Sequence, residues 1–174
     1  KDSMNLYIAP GLIDNQINGY ANVDFSGSHL SVGSVIDAAR AIWSDGVTSF
    51  LPTLITNSHE NLIKNFRILD EAVSNDELLS KSIAGFHLEG PYLSPEDGYR
   101  GCHPVQYIRK PSWDEFRIYQ KAAGGRIIQV TIAPELQGAI DFISLCTHDG
   151  IVTSMGHTNS TSEQINNAVE HGVR

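Results

Sequence analysis

Apolar positions along this chain follow two rhythms. Short runs rich in Val, Ile, Thr and Phe are apolar at successive positions, and the longer segments between them are apolar at every third or fourth. The first rhythm fits strands buried on both faces, the second amphipathic helices. Leu12–Ile17 (LIDNQI) is the first strand. Residues 34–44 (SVIDAARAIWS) put Val35, Ile36, Ala39, Ile42 and Trp43 at helical spacing, and Gly46 stops that helix. Val47–Ile55 is the second strand; Pro52, which has no N–H for a ladder, is expected near its end or at a bulge. Residues 58–74 form the second helix, opened by Ser58 and Glu60, with Leu62, Phe66, Leu69 and Val73 on one face. Further strands are expected at 83–88, 127–133 and 151–155, and further helices at 112–123, 136–148 and 161–171, with Val173 and Arg174 starting a sixth strand. Residues 90–111 have no periodic pattern, and loops longer than about 12–15 residues are often functional.

Each strand-to-strand step is about 30–40 residues, the size of a βαβ unit, and strands alternating with helices imply a parallel sheet. An open doubly wound sheet and a (β/α)8 TIM-type barrel both fit this alternation. No GxGxxG follows the first strand, which counts against a dinucleotide-binding open sheet. Five units and a nascent sixth fit the first part of a barrel that needs roughly 250 residues when whole.

The chain has 174 residues, 41% of them hydrophobic and 18% charged, enough apolar content for a packed core. Its net charge of −8 argues against a nucleic-acid or anionic-membrane surface as partner, while leaving room for a local site for a small anion. No apolar run approaches the roughly 20 residues of a membrane span. Lys1 stands where a start methionine would, so the true start is expected to be missing or processed, and no secretory layout is visible. Two cysteines, Cys102 and Cys146, are too few for a disulfide scaffold, and a reducing cytoplasmic location is the simplest expectation.

In either architecture ligands meet the C-terminal ends of the strands. The polar residues there are Asp14–Asn18, Thr53 and Thr56, His87 and Glu89, Glu135, and His157 to Asn159. Glu89 closes an apolar strand, where a carboxylate is costly unless paired or bound to a metal. His157 follows Gly156 at another strand end, and neutral imidazole is a common metal ligand. Glu89 and His157 are far apart in the chain. A Glu paired with Lys or Arg, and a His bonded to a carbonyl, is therefore an equally open reading at this point. His103, in the long loop, is either a solvated residue or a donor to an anionic or hydroxylated ligand. His87 shares Glu89's parity and thus its side of the strand, as a supporting partner or a core residue. His29, His59, His148 and His171 are read as surface residues.

At these positions the chain resembles the N-acetylglucosamine-6-phosphate deacetylases of the amidohydrolase superfamily. The resemblance is carried by PGLIDNQINGYANVDF (10–25), GVTSFLPTLIT (46–56), HLEGPYLSP (87–95), GCHP (101–104), VTIAPE (130–135) and SMGHTNST (154–161). It implies a partial (β/α)8 barrel over residues 10–174, about the first five βα units. Residues 1–9 would be the end of the family's small β-sandwich, with Tyr7 to Ala9 as its last strand. It implies that Glu89 and His157 bind one divalent metal, and that Cys102 and His103 contact a phosphorylated amino sugar. Gln16-Ile17-Asn18 stands where many superfamily members have a His-x-His pair. Amides are poor zinc ligands, so a single ion is expected, zinc first on ligand type and iron or another first-row metal next. Gln16, Asn18 and His87 would support the ligands. The second metal histidine, the catalytic aspartate and the phosphate-binding residues would fall beyond Arg174, and the whole enzyme would be a homodimer. The implied reaction removes acetate from N-acetylglucosamine 6-phosphate. The loop Glu96-Asp97-Gly98-Tyr99 departs from the commonest family form. A hydrolase of another amide or cyclic amide, or a non-catalytic sugar-binding remnant, are the alternatives.

Overall fold

The computed structural model describes residues 7–174. In chain order the elements are β1 (Leu12–Ile17), β2 (Gly19–Tyr20), β3 (Val23–Asp24), α1 (Val32–Ser44), β4 (Val47–Ile55), α2 (His59–Asn75), α3 (Glu77–Ser82) and β5 (Phe86–Glu89). A 3-10 turn (Val105–Tyr107), α4 (Trp113–Ala122), β6 (Ile127–Ile132), α5 (Ala139–His148), β7 (Val152–Met155) and α6 (Ser162–Glu170) complete the series. Five strands make one parallel sheet in the order β1-β4-β5-β6-β7. That order decides between the two architectures. A doubly wound sheet reverses its strand order at a switch point, whereas here each strand is added beside the last, as in a barrel. The fold is α/β, a curled partial (β/α)8 barrel of five strands with its helices packed pairwise, α1 on α2, α2 on α4 and α5 on α6.

Local chemistry sets the element ends. Ser31 caps α1 in a reciprocal box with Ser34, which starts that helix earlier than the apolar pattern indicates. Ser58 caps α2 and Thr161 caps α6, as expected from sequence. The fourth expected helix starts three residues late, because residues 136–138 form a turn ending at Gly138, whose φ of +85° suits a glycine. Pro52 lies within β4 but at a register break: Asp14 pairs with Phe50, the next pairing is Ile17 with Pro52, and the ladder to β5 begins at Thr53. Val173 and Arg174 take no strand conformation, although the Arg174 N–H donates to the Thr153 carbonyl on the outer edge of β7 (3.0 Å). Tyr7 to Ala9 run as exposed coil, and the rest of the expected sandwich remnant, residues 1–6, lies outside the described residues.

The helices bury regular stripes: Val35, Ala38, Ala39 and Ile42 from α1, and Leu62, Phe66, Leu69, Ala72 and Val73 from α2. Asn65 joins this stripe because its amide donates to the carbonyls of Phe25 (2.9 Å) and Gly27 (3.0 Å). It thereby hangs the segment after the β2–β3 hairpin onto α2. Among the described residues no helix is long and apolar enough to cross a membrane.

Cys146 is buried on α5, while Cys102 is exposed in the long loop. Burial first, and then the Asp149 charge, push the Cys146 thiol up to about 12, so it stays protonated and inert at ordinary pH. An aromatic disulfide reagent at pH 8 should titrate one thiol in the native protein and both after guanidinium unfolding. Rapid reaction of both native thiols would contradict this burial.

Candidate metal centre

Glu89 is the last residue of β5, and the ladder places it opposite Ile55 of β4 and Thr131 of β6. It is only 7% exposed. Its Oε1 lies 3.1 Å from His157 Nε2 and 3.9 Å from His103 Nε2, and its Oε2 accepts from the Asn18 amide at 3.3 Å. Among the described residues Glu89 pairs with no lysine or arginine, so the ion-pair reading of this carboxylate is not what the fold builds. Glu89, His103 and His157 each offer a donor atom, and these atoms lie within 4.8 Å of one another.

The second nitrogen of each imidazole is already committed. His157 Nδ1 faces the Tyr99 carbonyl at 3.2 Å, an oxygen that can only accept, so Nδ1 carries the proton. His157 Nε2 faces the Glu89 carboxylate, a contact that needs something positive between the two atoms, a proton or a cation. A further proton on His157 would satisfy that pair alone. A divalent cation would also satisfy His103, whose ring meets the His157 ring edge-on with centroids 4.3 Å apart. Two donors on a tetrahedral ion sit about 3.4 Å apart, close to the spacings found here. Glu89 and His157, one carboxylate and one imidazole with His103 facing the same point, suit zinc or another first-row metal and therefore fit the group that the sequence implies.

His103 is 1% exposed, and its Nδ1 is held by Thr56 Oγ1 at 2.8 Å. Burial, and then the nearby His157, push its pKa below the ordinary imidazole range. Cys102, next to it, is exposed and is not among the three clustered donors. Gln16 is exposed too, and its backbone N–H donates to Asp14, so of the two strand-one amides the structure brings Asn18, not Gln16, to Glu89. His87 lies one pleat below Glu89. Thr53 Oγ1 donates to the Leu51 carbonyl (3.1 Å) and so accepts from His87 Nδ1 (3.2 Å), leaving His87 Nε2 to accept from Thr131 Oγ1 (2.8 Å). Burial lowers the His87 pKa to about 4, against the opposing pull of Glu89, and keeps the ring neutral. His87 is thus a polar strut across β4, β5 and β6 beneath the donor cluster.

The loop carrying His103 is closed on itself. The Arg109 N–H donates to the Pro91 carbonyl (3.0 Å), and the Arg109 guanidinium binds Glu115 at the start of α4 (2.8 and 3.1 Å), Tyr119 Oη (2.6 Å) and the Tyr107 carbonyl (2.6 Å). Tyr92 donates to the same carboxylate (2.9 Å), and burial followed by the Glu115 charge keeps both phenols protonated. His59, expected at the surface, is half-buried here, with Nδ1 2.9 Å from Tyr119 Oη. Across the mouth, Glu135 collects the hydroxyls of Thr158 and Ser160 and the Asn159 N–H. Burial alone would raise the Glu135 carboxyl; these hydrogen bonds outweigh it and hold the group below the usual carboxylate range. The sequence pattern marks Glu135 only as polar at a strand end and carries no signal for Arg109. Glu135 acts through partners 23 to 25 positions away in the chain.

No family model matches the chain. It is 39% identical to the N-acetylglucosamine-6-phosphate deacetylase of Bos taurus over 177 residues, covering 99% of this chain and 42% of the bovine one. It is 33% identical to the Bacillus subtilis protein of the same description, covering 95% and 41%. Among solved structures, the N-acetyl-D-glucosamine-6-phosphate deacetylase of Mycobacterium smegmatis superposes with a TM-score of 0.80 at 31% identity, covering 94% of this chain and 44% of that one. The Pasteurella multocida N-acetylglucosamine-6-phosphate deacetylase superposes with a TM-score of 0.82 at 30% identity, covering 94% and 41%. A further M. smegmatis structure is a variant in complex with N-acetyl-D-glucosamine-6-phosphate. The chain thus spans about 42% of the length of the curated relatives it matches.

The Arg109 network makes a stability prediction. Arg109→Met would leave the Glu115 carboxylate without its guanidinium partner, and should lower unfolding stability by about 2–3 kcal/mol in urea. A loss below about 0.5 kcal/mol, the range of an ordinary surface substitution, would show that the clamp does not hold the loop.

Proposed function

We propose, for a chain that belongs to the N-acetylglucosamine-6-phosphate deacetylase family, that it is the part of a deacetylase barrel that supplies Glu89 and His157 to one divalent metal and His103 to the sugar substrate. The observation that carries this reading is His157 Nε2 at 3.1 Å and His103 Nε2 at 3.9 Å from one Glu89 oxygen, in a buried setting without a lysine or arginine partner among the described residues. When bound, the ion supplies Lewis acidity to the acetamide carbonyl and to an attacking water. Glu89 brings the negative charge, held in line by Asn18. His157 brings a neutral nitrogen whose tautomer the Tyr99 carbonyl sets. His103 Nε2 faces the same point from the loop and orients an incoming polar group, which shortens the search for a reactive pose. The general base and the remaining ligand come, in this reading, from the part of the relatives that this chain does not cover. Zinc is the first choice of ion because carboxylate and imidazole donors at these spacings suit it. The substrate is the phosphorylated amino sugar, as the resemblance implies.

The test is acetate release from N-acetylglucosamine 6-phosphate by the intact protein that carries this chain. Lewis-acid assistance is worth several kcal/mol, and each ~1.4 kcal/mol is tenfold in rate, so Glu89→Gln should lower kcat/KM by about 10³-fold or more. Activity of the Glu89→Gln protein within threefold of wild type would overturn the assignment. Turnover of another amide but not of this sugar would keep the hydrolase and reject the substrate.

A further inference from the structure

His157 holds its ring in place against an unfavourable backbone. Its φ is +51°, a left-handed conformation that a residue with a side chain keeps only where its surroundings over-determine it. The hydrogen bonds of His157 itself, from Nδ1 to the Tyr99 carbonyl and from the Ser94 N–H to the His157 carbonyl (2.9 Å), fix the side facing the long loop. The next three residues are fixed from the opposite side, by one carboxylate. Glu135 Oε1 accepts the Asn159 N–H at 2.8 Å, and Glu135 Oε2 accepts the hydroxyls of Thr158 and of Ser160 (2.7 Å). The Ser160 N–H also donates to Thr158 Oγ1 (3.0 Å). Asn159 then donates its amide to Glu96 Oε2 (2.9 Å) in the same loop that carries Tyr99. Glu135 therefore gathers the turn after β7 from the loop after β6.

We infer that Glu135 is a positioning residue for His157: its carboxylate pins residues 158–160, and the pinned turn holds the His157 backbone and ring so that Nε2 aims at the Glu89 carboxylate. A carboxylate suits this task because it accepts from three donors at once. Alanine accepts from none, and glutamine keeps the Oε1 acceptor while turning the other atom into a donor. Glu135 does not belong to the donor cluster of Glu89, His103 and His157. It acts at one remove, as groups that orient metal ligands do, and loss of such a group typically costs 10–100-fold in metal affinity. The affinity part rests on the reading of His157 as a metal ligand; the orientation part does not.

Two measurements on the intact protein separate these parts. The first is the histidine ring state of the metal-free protein, read by long-range 1H–15N correlation. The second is the Co2+ dissociation constant, read from ligand-field absorption. In Glu135→Ala the His157 ring resonances should leave their wild-type shifts and broaden as the ring loses its fixed orientation, while those of His87 stay unchanged. Co2+ affinity should fall about 10–100-fold with far-UV circular dichroism unchanged. Glu135→Gln should recover part of both effects. If Glu135→Ala fails to fold, Thr158→Val, which removes a single donor, carries the test with a smaller shift of the same sign. A folded Glu135→Ala protein with a wild-type His157 ring state would overturn the inference. If wild type binds no Co2+, the metal reading fails, and the ring-state measurement still decides whether Glu135 orients His157.

Discussion

His157 Nε2 meets a buried carboxylate oxygen of Glu89 at 3.1 Å, and much of the described structure keeps that meeting in place. Neither partner can turn away. Glu89 is fixed by the ladder on both sides of β5 and by the Asn18 amide. His157 is fixed through Nδ1 by a carbonyl that can only accept. A carboxylate desolvated to this degree without a cationic partner would be costly in a finished fold. The cost falls away if a cation joins the cluster, which is why the geometry speaks for a metal rather than for an ion pair within the protein.

Around this contact the barrel supplies layers with distinct tasks. Beneath it, neutral His87 satisfies Thr53 and Thr131 and lets a polar layer sit inside the sheet without an unpaired charge. On one flank, the loop after β5 is closed by Arg109 onto Pro91 and α4 and delivers His103 and the Tyr99 carbonyl. On the other flank, Glu135 gathers the turn that follows His157. Each flank uses one ionised side chain with several hydrogen bonds. Such groups fix geometry well, because a single change leaves several partners unsatisfied.

Much of this was readable in the sequence, and the part that was not has physical reasons. The five barrel strands and their following helices were visible because burial on both sheet faces and on one helix face leaves different apolar periods. Strand order was not readable, since either α/β architecture fits the same alternation; only the observed β1-β4-β5-β6-β7 order separates them. The β2–β3 hairpin was hidden because its turn places Ala21 and Asn22 at φ of +49° and +67°, and alanine gives no turn signal. Helix α3 was hidden because six residues are too few for a period; its start is marked by Asp76, which caps it. Glu89, His157 and His103 stood out as polar residues at strand ends or in the long loop. The meeting of Glu89 with His157, and the supporting work of Thr56, Tyr99 and Glu135, depends on contacts across 23 to 68 positions, which no local pattern records.

The central claim is that this constellation is a metal centre, and the most direct test is anomalous diffraction at the zinc edge from crystals of the intact protein grown with Zn2+. The account predicts one strong peak per chain between Glu89 and His157, about 2.0–2.2 Å from a Glu89 oxygen and from His157 Nε2. A map with no peak there, and with His157 Nε2 hydrogen-bonded directly to Glu89 as an imidazolium, would contradict it.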